Sequence, residues 1–463
     1  MDSATGHLVD FALAANFDSL SAETAQDAKR RLIDAIGCAL GAYDDFPCVV
    51  ARDYAAERSM PAQATLWGSG AKCAAEMAAF ANGTMIRVQD FNDTFFAVDG
   101  GHPSDMLGGL VAAAESKGAD GRALITAIAI AYEVYCRFMQ SVPISTKNFD
   151  QPINVAVASA VAIGKLYNLS RDQLAHAIAL AVTPHLALRQ TRRGVLSHWK
   201  GMAGPNAARD ALFAVDLAAR GVTGPSDLFE GQEGLWSVLG KREWVEPAKW
   251  GKMEMVSSTY LKNYAVCYHA QSGSQAALDL YPRVKNRGIA GIEVEAYHDA
   301  WEMIGLDPTR WAPTSRETAD HSLPFTVATC LVHGELSSDS FDESRLDEPA
   351  VKDVMAKVAV REDKAFTKLY PNAAATRVTI KMADGDVLRS EVLHPKGHPK
   401  SPMSDDDIEA KFNSLARKRL TDRERVAALD TLWKLETAKN VAVDLVPKLA
   451  GSGDVQLKAA AAR

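Results

Sequence analysis

The chain has 463 residues, of which 47% are apolar and 24% charged, with a formal net charge of −7. This is the composition of an ordinary globular protein with room for more than one domain. The acidic balance argues against nucleic acid as the main partner, while leaving space for a local basic pocket that takes an acidic ligand. The opening MDSATGHLVDFA shows no basic stretch followed by an apolar run, so a cytoplasmic location is expected. Six cysteines (Cys38, Cys48, Cys73, Cys136, Cys267, Cys330) carry no CxxC spacing, which predicts free buried thiols and argues against an iron–sulfur cluster.

Ser21 opens a helix, SAETAQDAKRRLIDAIGCALGA, with Ala28, Leu32 and Ile36 on one face. A loop with Gly68 and Gly70 precedes a second Ala-rich helix from near Ala71, which runs into DFNDTFFAVDGGHPSD, residues 90–105. Pro103-Ser104 reads as the start of the next helix, with Ser104 as N-cap. Asp120-Gly121 opens a strongly apolar helix to about Met139; Glu133 and Arg137 mark it as buried rather than membrane-spanning. A polar loop at 148–153 leads to a helix over 155–167, and Ser170 with Gln173 forms a capping box for the one after it. Helices dominate to about Glu230, with no strand alternation in this half.

The texture changes after residue 262. GIEVEAY and KVAVRED alternate apolar and polar residues, and ATRVTIKMADGDVLRSEVLH reads as a hairpin turning at Asp384-Gly385. DDDIEAKFNSLARK then returns to helix, with acidic residues in its first turn and basic ones in its last, and the final GSGDVQLKAAAAR is expected to fray. The expected fold is mostly α with an α+β insertion. A large all-helical domain is built from both chain ends (1–262 and 401–463), with a smaller α+β domain over 263–400.

Three places share a local plan. His102, Lys200 and His269 each sit just before an expected helix, beside free backbone N–H groups that favour an anion. Arg87, Arg189, Arg192 and Arg193 could grip carboxylates. Each has a plain alternative: His269 as a core histidine, Lys200 as a surface lysine with a buried stem, Arg192-Arg193 as a solvated pair. Asp90 and Asp93 lack a third metal ligand at suitable spacing, and GxGxxG, P-loop and GxSxG motifs are absent, so no metal or cofactor is expected.

MIRVQDFNDTFFAVDGGHPSD, LRQTRRGVLSHWKGMAGPNAARDA, GVTGPSDLFEG, YAVCYHAQSGSQAA and TSRETADHSLPFTVATCLVHGEL together resemble the MmgE/PrpD family, in family order over nearly the whole chain. That family includes 2-methylcitrate dehydratase, cis-aconitate decarboxylase and iminodisuccinate epimerase. The resemblance implies a helical domain with an α+β insertion, and a homodimer. Asp90 and Thr94 match the acidic and hydroxyl positions of the family's first motif, His102 the histidine of its HPS motif, Lys200 its basic motif, and His269 the histidine after the domain junction. A tyrosine used by the decarboxylases corresponds to Phe325 here, which counts against decarboxylation.

The resulting expectation is a hydro-lyase acting on a di- or tricarboxylate. His102 and His269 share the base and acid roles, Asp90 orients an imidazole, and Lys200 with Arg87 or Arg192 holds carboxylates. Thr94 donates a hydrogen bond to the substrate, and Asn92, Asp93 and Ser104 complete the binding set. The alternatives are decarboxylation, epimerisation or isomerisation of a related acid, or a binding protein that converts nothing.

Overall fold

A computed structural model describes residues 1–240, 250 and 253–451 of the chain. The fold is mostly helical with a small mixed sheet. In chain order the helical part runs α1 (Ser3–Ala14), α2 (Ala22–Gly41), α3 (Phe46–Ala56), α4 (Ala75–Arg87), α5 (Leu107–Lys117), α6 (Gly121–Ser141), α7 (Pro152–Leu166), α8 (Arg171–Val182) and α9 (Trp199–Ala219). Local chemistry fixes several starts. Ser21 accepts from the Thr24 N–H and Asp120 from the Ala123 N–H, and Ser170 with Gln173 forms the expected capping box. Helix α6 is buried almost throughout, and its Glu133 is satisfied inside by Arg137 at 2.9 Å and by the Met255 N–H at 2.9 Å. Among the described residues no helix is long and apolar enough to cross a membrane. Two short strand pairs, Ala64–Thr65 with Lys72–Cys73 and Phe95–Phe96 with Gly100–Gly101, break the expected all-helical texture of this half.

After α10 (Leu235–Leu239) and α11 (Tyr268–Val284) come the sheet strands: β1 (Ile289–Ala296), β2 (Val358–Glu362), β3 (Thr376–Met382) and β4 (Val387–Val392). Their order is β2-β1-β3-β4, with β1 and β2 parallel and the other pairs antiparallel. The hairpin forms as expected, with Ile380 opposite Leu388. Val294, Val378 and Ile380 are fully buried, the inward half of the period-two pattern. Helix α11 packs on β3 and β4 and against α12 (Leu323–His333). Helix α13 (Asp405–Ala416) returns to pack on α2. Its acidic first turn is as expected, and Ser404 with Asp407 adds a capping box, but the helix ends before Arg417, so the basic residues follow it rather than close it. Of the stretch expected to fray, all but Gly451 lies outside the described residues.

Close helix approach sets up the centre of the molecule. A Cβ on Gly108 of α5 would lie 2.6 Å from the Gly83 backbone nitrogen of α4, and one on Gly204 of α9 would lie 2.0 Å from the Asp105 carboxylate. These contacts bring the C-terminal half of α4, the segment before α5 and the first two turns of α9 to one place. Alanine at Gly108 gains about 1 kcal/mol of helix propensity, but overpacking against backbone costs about 1–3 kcal/mol. Gly108→Ala should therefore lower the thermal midpoint; an unchanged or raised midpoint would show that α4 and α5 can part without cost.

Candidate active site

Asp90 follows α4 with a φ of 50°, a left-handed conformation that costs a non-glycine residue free energy. Its carboxylate is 2% exposed and collects basic groups from four parts of the chain. Oδ1 accepts from Arg87 Nη1 at 2.7 Å and Lys262 Nζ at 2.8 Å. Oδ2 faces Lys200 Nζ at 3.4 Å and His321 Nε2 at 3.1 Å. Lys262 also donates to the Asp90 carbonyl at 2.5 Å. Burial pushes the Asp90 carboxyl up, but Arg87, Lys200 and Lys262 outweigh it and hold the group well below the usual carboxylate range.

Two histidines meet this carboxylate in different states. His102 Nδ1–H donates to the Asp93 carbonyl at 2.8 Å, which leaves Nε2 as the acceptor nitrogen, 3.8 Å from Asp90 Oδ1. Burial, with Arg87 and Lys262 nearby, holds the His102 imidazole well below its ordinary value, so it is neutral. For His321, burial and Lys200 act downward, but Cys267 and Asp320 prevail and raise it to about 10. Its Nδ1 is bonded to Asp320, and it is an imidazolium at neutral pH. His269 contacts the Tyr297 hydroxyl through Nδ1 at 2.5 Å, and burial lowers it to about 4.

These groups line a cavity of about 610 Å³ between the helical part and the sheet-bearing part. Asp90, Thr94, His102, Arg189, Arg192, Arg193, Lys200, His269 and His321 all face it. The sequence-derived trio of His102, Lys200 and His269 thus converges, although the local plan differs in each case. Lys200 and His269 are the second residues of α9 and α11 rather than residues ahead of a helix. No turn separates Lys200 from the helix that follows it, since α9 runs unbroken through Pro205. Asp99, Asp299, Glu302 and Asp307 also line the cavity, so its wall carries charges of both signs.

Four expected substrate contacts lie behind the wall. Arg87 Nη1 bonds Asp90, and its Nε stands 3.7 Å from Asp105. Asp93 accepts from the Ser104 N–H at 2.9 Å and the Tyr132 hydroxyl at 2.7 Å, and so orients His102 through its carbonyl. Asn92 donates to Ser104 Oγ at 2.8 Å. Ser104 is not an N-cap: it lies within a 3-10 turn, Pro103–Met106, that precedes α5. Thr94 does face the cavity, but its hydroxyl donates to the Gly101 carbonyl at 2.8 Å, not outward. Arg192 faces the cavity and pairs with Asp150 at 2.5 Å. Phe325 is buried in α12 and is not among the residues that line the cavity, whereas Tyr268 and Tyr370 are.

Sequence reading missed His321 and Lys262. His321 stands directly before Ser322, the N-cap of α12, in HSLP, much as His102 stands before Pro103; that likeness could have found it. Nothing local marks Lys262. One ligand atom each from Asp90, Cys267 and His321 lie within 4.8 Å of one another, a set a metal could use. Asp90 is already matched by Arg87, Lys200 and Lys262, and that positive surround suits an anion over a divalent cation.

Asp90→Asn should leave buried cations uncompensated and destabilise the fold by about 3–5 kcal/mol, measured by denaturant unfolding. Because folding depresses the Asp90 pKa, its contribution is present above the unfolded value near 3.8 and is lost only as pH falls through the lower folded value. A variant as stable as the parent at neutral pH would contradict the placement of Asp90 at the hub.

Comparison with known proteins gives a consistent picture. Residues 6–247 match the MmgE/PrpD N-terminal domain and residues 264–435 the MmgE/PrpD C-terminal domain. A 2-methylcitrate dehydratase of Cupriavidus necator is 29% identical over 400 residues, 80% of this chain and 81% of its own length. The 2-methylcitrate dehydratase of Escherichia coli (strain K12) is 27% identical over 421 residues, 84% of this chain and 85% of its own. A 2-methylcitrate dehydratase-like protein of Aspergillus oryzae is 25% identical over 467 residues, covering 95% and 94%.

Proposed function

The chain belongs to the MmgE/PrpD family, and from that membership we propose that its cavity dehydrates a 2-hydroxy tricarboxylate of the citrate or 2-methylcitrate kind, using its own acid and base groups and no cofactor. The similar proteins named 2-methylcitrate dehydratase are hydro-lyases, which supports lyase chemistry here. The observation that carries the acid–base reading is the pair of imidazoles on Asp90: His102 with a free acceptor nitrogen, His321 charged.

Dehydration removes a proton α to a carboxylate and protonates the departing hydroxyl. His102 Nε2, a neutral acceptor lining the cavity, suits the first task, and the His321 imidazolium suits the second. His269, held neutral beside Tyr297, is a second candidate base and is less suited to the acid role expected from sequence. The carbon acid is weak, so charge that develops on the carboxylate must meet fixed positive groups. In this reading Lys200, Arg189 and Arg192, which line the cavity, supply them, a contribution of about 3–4 kcal/mol per well-placed donor in other enzymes. Asp90 holds Lys200 and His321 together, and the Asp93 carbonyl orients His102.

Proton NMR of the purified protein with methylcitrate, citrate, cis-aconitate and iminodisuccinate tests the reading. A new vinylic signal from methylcitrate or citrate is expected. Itaconate signals, or exchange of one proton in heavy water without net conversion, would replace dehydration by decarboxylation or epimerisation. Thermal stabilisation by ligand with no conversion would leave a binding protein.

Substitution by glutamine at His102 or His321 should lower turnover by about 10² or more, with thermal midpoints measured alongside to separate chemistry from folding. Near-normal turnover in either variant would remove that residue from proton transfer.

A further inference from the structure

Cys267 lines the cavity but has no part in the chemistry above. It is the N-cap residue of α11, a 17-residue helix, and its backbone N–H donates to the Asp320 carbonyl at 2.9 Å. Its Sγ lies within 4.8 Å of a His321 ring nitrogen and an Asp90 oxygen, and His321 is bonded in turn to Asp320. Thiol, imidazolium and carboxylate therefore stand in series at the positive end of a helix, the surroundings that draw a proton off a thiol. Burial pushes the Cys267 thiol up, but the charge and hydrogen bond of His321 outweigh it and bring it below the ordinary thiol range. The other five cysteines are buried, line no part of this cavity, and are all shifted the opposite way by burial.

A second observation points to the ligand class. Arg310 and Tyr268 line the same cavity at 4% and 3% exposure, and Arg310 Nη1 and the Tyr268 hydroxyl have no hydrogen-bond partner. The Ser322 hydroxyl, next to His321, donates to the Arg310 carbonyl, which ties the Arg310 backbone to the segment that carries His321. A buried guanidinium nitrogen left open beside a cavity is completed by a carboxylate.

We propose that Cys267 is a covalent modification site for small carboxylate-bearing electrophiles, held by Arg310 and Lys200 while the sulfur attacks carbon. With a halo acid, the thiolate pair forms the S–C bond and halide leaves with the pair of the broken C–halogen bond. With an α,β-unsaturated acid, sulfur bonds the β-carbon, the π pair moves to the α-carbon, and that carbon takes a proton from the His321 imidazolium. Neither step needs an oxidant or reductant. Either adduct occupies the part of the cavity beside Asp90 and His321 and competes with other acids for it. The inference rests on cavity geometry and not on dehydration, so it is tested with no substrate present.

The native full-length protein is treated with iodoacetate and, separately, iodoacetamide at equal concentration, and the cysteines are mapped by peptide mass spectrometry over time. Iodoacetate should label Cys267 alone and about tenfold or more faster than iodoacetamide does, because only the acid engages the cations. In the unfolded chain all six cysteines should react without that preference. Arg310→Gln should reduce the iodoacetate preference and leave the iodoacetamide rate at Cys267 in place. The proposal is overturned if Cys267 stays unlabelled while the unfolded control reacts to completion, if the acid has less than that advantage, or if the preference is indifferent to Arg310.

Discussion

A single buried carboxylate holds the centre of this protein together. Removing Asp90 from water costs several kcal/mol on its own, and the structure offsets that cost with Arg87, Lys200, Lys262 and His321, each from a different stretch of chain. Of these cations, Lys200 and His321 line the cavity beside Asp90. The same field separates two chemically identical side chains. Burial, with the Arg87 and Lys262 charges, keeps His102 neutral, whereas Cys267 and Asp320 keep His321 charged. An acid and a base thus coexist across one carboxylate at one pH, the condition that elimination of water requires.

The fold exists around that point in a literal sense. Small residues let α4, α5 and α9 approach until backbone meets backbone, which delivers Arg87, His102 and Lys200 together. Lys411, on α13, pairs with Asp34 at 2.6 Å and donates to the Phe91 and Lys262 carbonyls at 2.8 and 2.9 Å. A helix from the far end of the chain therefore braces both sides of the hub. The sheet-bearing part contributes His269, His321 and Tyr297, with Tyr297 stacked on Tyr370 as a wall behind His269. The helical part contributes Asp90, His102 and Lys200 to the same cavity.

What the sequence disclosed follows from the range of the forces involved. Caps, the Asp384-Gly385 hairpin and the buried course of α6 depend on neighbours a few residues apart, and these were legible. The convergence of His102, Lys200 and His269 was legible too, because each sits near a helix start and the family resemblance ordered them. Within 90–105, however, sequence proximity could not say which side chains turn inward. The left-handed kink at Asp90 aims that residue at the cavity, while Asp93 turns back to Tyr132 and the Ser104 N–H. Asn92 and Ser104 follow Asp93 to the rear. Lys262 was invisible because its whole role is a contact 172 residues away in sequence. His321 was overlooked although HSLP repeats the histidine-before-helix plan, since its importance lies in its two carboxylate partners.

The claim that most of this rests on is the opposite protonation of two histidines on one carboxylate. Nitrogen NMR of protein carrying ring-labelled histidine, assigned with His102→Gln and His321→Gln, reads both states directly at neutral pH. The account predicts a neutral His102 with its proton on Nδ1 and an acceptor Nε2, together with a His321 whose two ring nitrogens are both protonated. Finding the two rings in the same charge state, or His102 protonated on Nε2, would contradict it.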